Sequence, residues 1–467
     1  MSDVFVSYSI KDRNTVRELV ALLKQQWAVW WDDVVVYDFD DVIEHEIANA
    51  KCLVVIWSTK SCRSRSVKDE VRRAWALDIP VVSIKLEPCT LPLGFGDLSC
   101  VNLEGWQGDA SEERLGQVLR RISHVVPPAA TVSRPDNLFG KRLSLPSLFL
   151  SVSSHETQLT PGLAVQALRI HQAPTILVSA YDAVGARRDE QMLEELALYR
   201  QAGGFVLVDS GNYEASRLRD LDWSPNQLAQ ALAVIPHDCI FSFDILSPSP
   251  DPDAAVDEIA ASVARNRSFT SAPVLPILHA AGLEAGGFDT DVLPQHLRRV
   301  AERIRAPMLA VPERELGAGL IERARTMIRI RQALSDLPFY QAVHLLGTGN
   351  PWSIAVLGAA GADSFDGLEW CRVVVDHGSG RLHHYQHFDF FRYQAEYSDS
   401  PITQAALGMP DITYPAKVAF HNLDYFQELA AKLRIAAAKG DFEALVVGML
   451  GEANTKQLKR EVPGILV

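Results

Sequence analysis

Short apolar runs recur along this chain, each closed by polar residues and followed by helical periodicity. LVVI at residues 53–56 is such a run, of the kind expected for a parallel strand covered on both faces. Trp57, Ser58 and Thr59 close it. From about Arg65 a helix is expected, because Val67, Val71, Ala74 and Trp75 fall on one stripe. Glu70 lies at the edge of that stripe, where it can face a cleft. The same rhythm predicts strands over residues 4–7, 29–33, 79–86 and 101–106, and helices over residues 14–26, 42–50 and 111–123. Asp12 or Asn14 can cap the first helix. Residues 34–41, VVVYDFDD, form an acidic loop.

Residues 125–142, VVPPAATVSRPDNLFGKR, hold three prolines and neither period, and read as a linker. Beyond it, strands are predicted over residues 147–152, 175–179, 205–209, 239–244, 273–279, 307–311, 342–347 and 362–366, with helical patterns between most of them. Eight strand–helix units in about 300 residues predict a (β/α)8 TIM barrel, whose function gathers at the carboxyl ends of its strands. Asp209, Asp244, His279, Glu313, Gly347 and Asp366 stand at those ends. The organisation expected is therefore an α/β domain with a parallel sheet over residues 1–124, a linker over 125–142 and a barrel over 143–467.

Composition narrows the class. With 467 residues, 48% apolar and 22% charged, the chain has the make-up of two or three soluble globular domains. No run of eighteen apolar residues marks a membrane span, and the N-terminus enters a strand at once, without a signal peptide. Six cysteines, scattered without CxxC spacing, point to reduced thiols in a cytoplasm and against a zinc site. The net charge is −13, of which residues 1–125 carry −4 and the remainder −9. Neither part is a general polyanion binder, although a local basic patch stays open.

Several stretches of the first 123 residues match one family in order. DVFVSYSIKDR at 3–13, VWWDD at 29–33, the IWS strand end at 56–58 and SVKDE at 66–70 together resemble a TIR domain. The resemblance implies a flavodoxin-like fold and, in catalytic members, cleavage of NAD through a helix glutamate, which falls on Glu70. It places Ser9 and Phe39 at NAD-binding positions, although Phe39 can equally pack under its own loop. Ser66 stands where a tryptophan is common, and the acidic loop lacks the usual proline and glycine. The resemblance also implies a homo-oligomer through TIR domains, which catalytic members use to build the NAD site.

The barrel half has its own likeness. FVLVDSGNYE at 205–214, FSFDI at 241–245, HLLGTGNPWSIAVLGAAGADSFDGLEWCR at 344–372 and FHNLDYFQEL at 420–429 resemble the tRNA-guanine transglycosylases. The resemblance implies that Asp366 is a nucleophile, Asp209 a second catalytic carboxylate and Asp244 the reader of a purine edge. Carboxylates suit base exchange at a ribose C1′, which passes through an oxocarbenium-like state. The departures are as specific. The CxCxxC zinc ligands are missing before His421, which leaves His421 a capping or core histidine. His279 replaces a glutamine, Val311-Pro312-Glu313-Arg314 replaces a glycine pair, and DSGGF has become DSGNY, which narrows the cavity.

Two functions from different classes follow. In the first, the TIR domain is an NAD+ glycohydrolase effector, with the barrel as sensor of a purine nucleoside or nucleotide, or as oligomerisation platform. A bacterial anti-phage role is what such a TIR fusion implies by resemblance. In the second, the barrel exchanges a purine in tRNA or DNA and the TIR domain is a scaffold. A pure TIR adaptor is a third. Retained Glu70 favours the first over the third, and the missing zinc ligands favour it over the second, with NAD as substrate and no cofactor.

Overall fold

The computed structural model describes all residues except 1, 25, 33–39, 107–112, 127–132, 156, 250, 284–285 and 467. The chain divides into two compact units, Met1–Thr131 and Val132–Val467.

The first unit is a five-stranded parallel sheet of β1 (Val4–Ser7), β2 (Val29–Trp30), β3 (Cys52–Trp57), β4 (Val81–Lys85) and β5 (Cys100–Asn102) in the order β2-β1-β3-β4-β5. The strands are apolar on both sides because helices cover both faces, and the pleat sends alternate residues to opposite cores. Val4, Val6, Val54 and Ile56 join Val16, Leu19, Leu115 and Ile122 on one face. Phe5, Leu53, Val55 and Trp57 join Ile47, Val67, Val71 and Ala74 on the other. Strand order reverses between β1 and β3, the position where such sheets hold ligands beyond their carboxyl ends. Helix Arg65–Ala76 starts at Ser64, whose side chain accepts from Val67 N. Trp75, expected in its buried stripe, is 40% exposed and stacks on Phe95 at 5.2 Å. Asp12 precedes helix Arg13–Leu23 without capping it through its side chain. Its carboxylate instead accepts from Ser58 Oγ at 2.5 Å and pairs with Lys60 at 2.9 Å.

The second unit opens with an antiparallel hairpin, β6 (Asn137–Leu138) with β7 (Leu143–Ser144). The stretch expected to be a linker therefore ends inside this unit. Proline content masked the signal, because Leu138, Phe139, Leu143 and Leu145 pack into the barrel interior beside Phe205, Met308 and Ala342. Eight parallel strands follow: β8 (Ser147–Val152), β9 (Thr175–Ser179), β10 (Phe205–Asp209), β11 (Cys239–Phe241), β12 (Val274–Leu275), β13 (Met308–Pro312), β14 (Ala342–Leu346) and β15 (Ser364–Gly367). Their order runs β12-β11-β10-β9-β8-β15-β14-β13, and among the described residues a single bridge, Ile277 with Ala310, brings the two edges together. Phe149, Leu177, Leu207, Phe241 and Leu275 fill the interior, while Leu148, Leu150, Val178 and Val208 face the helices.

At the amino end of the strands, fully buried Asp363 gathers Arg134 Nε at 2.6 Å, Arg331 Nη2 at 2.8 Å, Tyr340 Oη at 2.7 Å and Val343 N at 2.9 Å. Beyond the barrel, β16 (Val373–Val375) pairs antiparallel with β17 (Leu382–His384), and helix Tyr414–Lys439 packs beside them. No helix among the described residues is long and apolar enough to cross a membrane.

Candidate active sites

In the first unit a cavity of about 550 Å³ lies at the carboxyl ends of β1 and β3. Glu70 and Ser9 both line it, as do Tyr8, Trp30, Asp32, Lys60 and Arg63. Glu70 is half-buried, and its Oε2 accepts a hydrogen bond from Ser7 Oγ at 2.6 Å. Burial pushes the Glu70 carboxyl above its ordinary range; the Ser7 hydrogen bond opposes that, and the negative charges of Asp32 and Asp69 add to it. Trp30 is held by stacking on Phe5 at 4.6 Å, and Tyr8 Oη donates to Asp32 O at 2.5 Å. Val67, Val71 and Ala74 of helix Arg65–Ala76 are buried, and Glu70, at the edge of that stripe, lines the cavity. The site thus combines the carboxylates of Glu70 and Asp32, aromatic walls and cationic side chains. Phe39 lies outside the described residues.

In the second unit a cavity of about 680 Å³ opens at the carboxyl ends of the barrel strands, and Asp209, Asp244, His279 and Asp366 all line it. Asp366 accepts from Ser151 Oγ at 2.8 Å and Gly347 N at 2.8 Å, and its Oδ1 lies 3.1 Å from His344 Nε2. Asp244 accepts from Ser210 Oγ at 2.6 Å and faces His279 Nε2 at 3.4 Å. Asp209 is different: Gly211 N at 3.0 Å is the one hydrogen bond recorded for its carboxyl among the described residues. Burial first, then Asp244, Glu214 and Asp366, raise its pKa well above the ordinary carboxylate value. A protonated Asp209 would donate a hydrogen bond in a site otherwise rich in acceptors.

Three partners in this mouth were not legible in the motifs. Glu214 is buried and takes Ser153 Oγ at 2.6 Å and Ser179 Oγ at 2.7 Å. His344, also buried, joins Ser364 Oγ at 2.7 Å on its other nitrogen. Glu315 sits 2.9 Å from His279 Nδ1 and accepts from Ala280 N at 2.8 Å. Each pairing joins positions far apart in the sequence: His344 and Ser364 are partners in the β14–β15 ladder, Glu214 reaches the ends of β8 and β9, and Glu315 with His279 crosses the seam between β12 and β13.

His279 lies between two carboxylates. Its burial works against a charge, but the hydrogen bonds and charges of Asp244 and Glu315 outweigh that and raise its pKa to about 9. The folded value exceeds that of an exposed imidazole, so this stabilisation is complete below pH of about 6.5 and is lost as pH rises through about 9. Thermal unfolding of the barrel should therefore fall in temperature between pH 7 and 9.5, and His279→Gln should flatten that slope. Parallel curves for the two proteins would refute the assignment.

His421 is buried in helix Tyr414–Lys439, with Nε2 2.7 Å from Val375 O and its ring stacked on His377 at 4.1 Å. Burial, then the neighbouring His377, lower its pKa to about 4. Among the described residues no group of three or more His, Cys, Asp or Glu is placed to hold a metal ion.

Two comparisons with known proteins bear on these units. The family model for the TIR domain matches residues 4–119. A tRNA-guanine(15) transglycosylase of Methanopyrus kandleri is 26% identical over 242 residues, covering 50% of this chain and 50% of that protein. This chain thus spans about half the length of that relative. The N-terminal unit carries a TIR domain, and the region after it is a nearly closed eight-stranded parallel barrel similar to a tRNA-guanine transglycosylase.

Proposed function

We propose that the chain cleaves NAD at the bond between nicotinamide and ribose, with Glu70 as the catalytic group. The observation that carries this reading is the Glu70 carboxylate, held by Ser7 and turned into a cavity at the strand-order switch of a TIR domain. The C1′–N bond breaks with its electron pair passing to the nicotinamide nitrogen, which leaves neutral. The carboxylate stabilises the positive charge that develops on the ribose. Water then adds to C1′ and releases a proton, giving ADP-ribose, or an internal nucleophile closes a cyclic isomer. Trp30 and Tyr8 offer faces to the nicotinamide, and Lys60 and Arg63 suit the diphosphate. Held in check until a trigger arrives, such depletion of NAD suits an anti-phage effector.

In this reading TIR domains of several copies meet to complete the site, and the barrel sets when they do so. A ligand bound in the barrel mouth shifts the balance by its differential affinity for separate and assembled chains. The purified chain is therefore expected to turn over NAD with a specific activity that rises with protein concentration, alongside particle mass. Turnover strictly proportional to concentration, at constant mass, would refute the assembly requirement.

A second reading assigns the chemistry to the barrel. The convergence of Asp209, Asp244 and Asp366 on one cavity favours it, since base exchange at C1′ needs such carboxylates. The relative's name, a transglycosylase acting on guanine in tRNA, supports it too. Incorporation of labelled guanine into tRNA, abolished by Asp366→Asn, would establish it.

A further inference from the structure

The barrel mouth contains a polar group that the carboxylates do not use. Asn212 opens helix Asn212–Leu218, lines the cavity and is only 8% exposed. Its Nδ2 is buried without a hydrogen-bond partner among the described residues. Buried amide groups are ordinarily satisfied, so an orphaned donor on a residue that lines a cavity marks a place for a ligand acceptor, reached by a turn of the side chain. Its position is fixed by the turn before it. Gly211 has φ +84°, and a Cβ there would meet Trp223 at 2.8 Å and Tyr181 N at 2.9 Å. Trp223 Nε1 also donates to Ser210 O at 3.0 Å. The asparagine is therefore held toward the cavity by a turn that tolerates only glycine at its centre.

The charge pattern of the mouth runs from floor to rim. Asp209, Asp244 and Asp366 form an acceptor-rich floor, whereas Arg217, Arg219 and Arg314 line the opening and are exposed. Arg217 rests over the Tyr213 ring at 5.4 Å, and Arg314 has Glu315 at 3.8 Å. A ligand that fits presents N–H and O–H donors inward and an anion outward. The cavity of about 680 Å³ lies in the usual range for small-molecule sites. A polyanion would meet a region of net charge −9, without the many phosphate contacts that polymer binding uses.

We propose that the barrel mouth binds a free purine nucleotide, with base and ribose among the carboxylates and phosphate at Arg217, Arg219 and Arg314. Asn212 is its specificity residue, donating from Nδ2 to an oxygen or ring nitrogen of the nucleoside part. This rests on the reading of the barrel as a purine sensor and names its ligand class.

Calorimetry on the full chain tests it, with guanosine and adenosine, their 5′-monophosphates, inorganic phosphate and a short RNA oligonucleotide. One of the monophosphates should bind about tenfold or more tighter than its nucleoside, the range of a charge-assisted hydrogen bond. Arg217→Ala, Arg219→Ala and Arg314→Ala combined should bring that nucleotide to the level of its nucleoside and leave the nucleoside unchanged. Asn212→Ala should weaken both by about tenfold. An unchanged unfolding temperature in each variant shows that the fold is intact. Equal affinity for nucleoside and nucleotide would overturn the phosphate rim and leave the purine reading standing. Binding indifferent to Asn212 would overturn its role. Binding of RNA without monophosphates would overturn the free-nucleotide class, and no binding at all would sink the sensor reading as well.

Discussion

Glu70→Gln is expected to abolish NAD turnover, by a factor of about a thousand or more, while the TIR domain stays folded. The substitution keeps the side chain's length and its hydrogen-bonding capacity toward Ser7 but removes the charge. Loss of an electrostatic group aimed at developing charge costs on this order in turnover. Folding is spared because the carboxylate makes no salt bridge and one hydrogen bond, to Ser7, among the described residues. Burial raises the Glu70 pKa, so the acid limb of the wild-type pH–rate profile should sit above the ordinary glutamate range, with activity falling as pH drops through it. Turnover in Glu70→Gln within threefold of wild type would refute the catalytic assignment.

Asp363→Ala should be the most damaging single change to the barrel. The carboxylate is fully buried and receives two guanidinium groups, a phenol and a backbone amide. Arg134 also donates to Ala362 O at 2.6 Å and Arg331 to Gly361 O at 2.7 Å, so both cations stay fixed beside the gap. Removing one partner of a buried ionic cluster leaves uncompensated charge and costs about 3–5 kcal/mol. In a unit of this size that lowers the unfolding temperature by roughly 10 °C. Differential scanning calorimetry reads the shift, and Asp363→Asn, which keeps the acceptors' geometry in part, should lose less. A change under about 2 °C for the alanine variant would show the cluster to be energetically idle.

The parts of this fold that the sequence made legible are those governed by local pattern. Cys52–Trp57 and Ser147–Val152 read as strands because both faces are covered, which demands unbroken apolar runs. Asp209, Asp244 and Asp366 read as a group because barrel strands deliver their carboxyl ends to one place. Pairings between distant positions were not legible. Ser7 and Glu70 are 63 residues apart, and nothing local marks that serine as a donor rather than a strand end. Glu315 reaches His279 only once β12 and β13 are brought together. The hairpin of Asn137–Leu138 with Leu143–Ser144 escaped notice because two-residue strands carry no period, and its order comes from the barrel interior it fills.

The closure at Ile277 and Ala310 has a consequence for how the barrel opens and shuts over time. One bridge joins edges that elsewhere in the wall are held by ladders of up to five residue pairs, so this seam should be the first part of the cylinder to separate in local fluctuations. The stitch that restrains it lies immediately beyond, where Glu315 takes both His279 and Ala280 across the gap. His279 in turn faces Asp244, on the far side of β12. A molecule seated against Asp244 and His279 would therefore splint the weakest edge of the wall. Occupancy of the mouth would then be felt as rigidity of the whole cylinder, a mechanical signal that needs no large displacement of any strand.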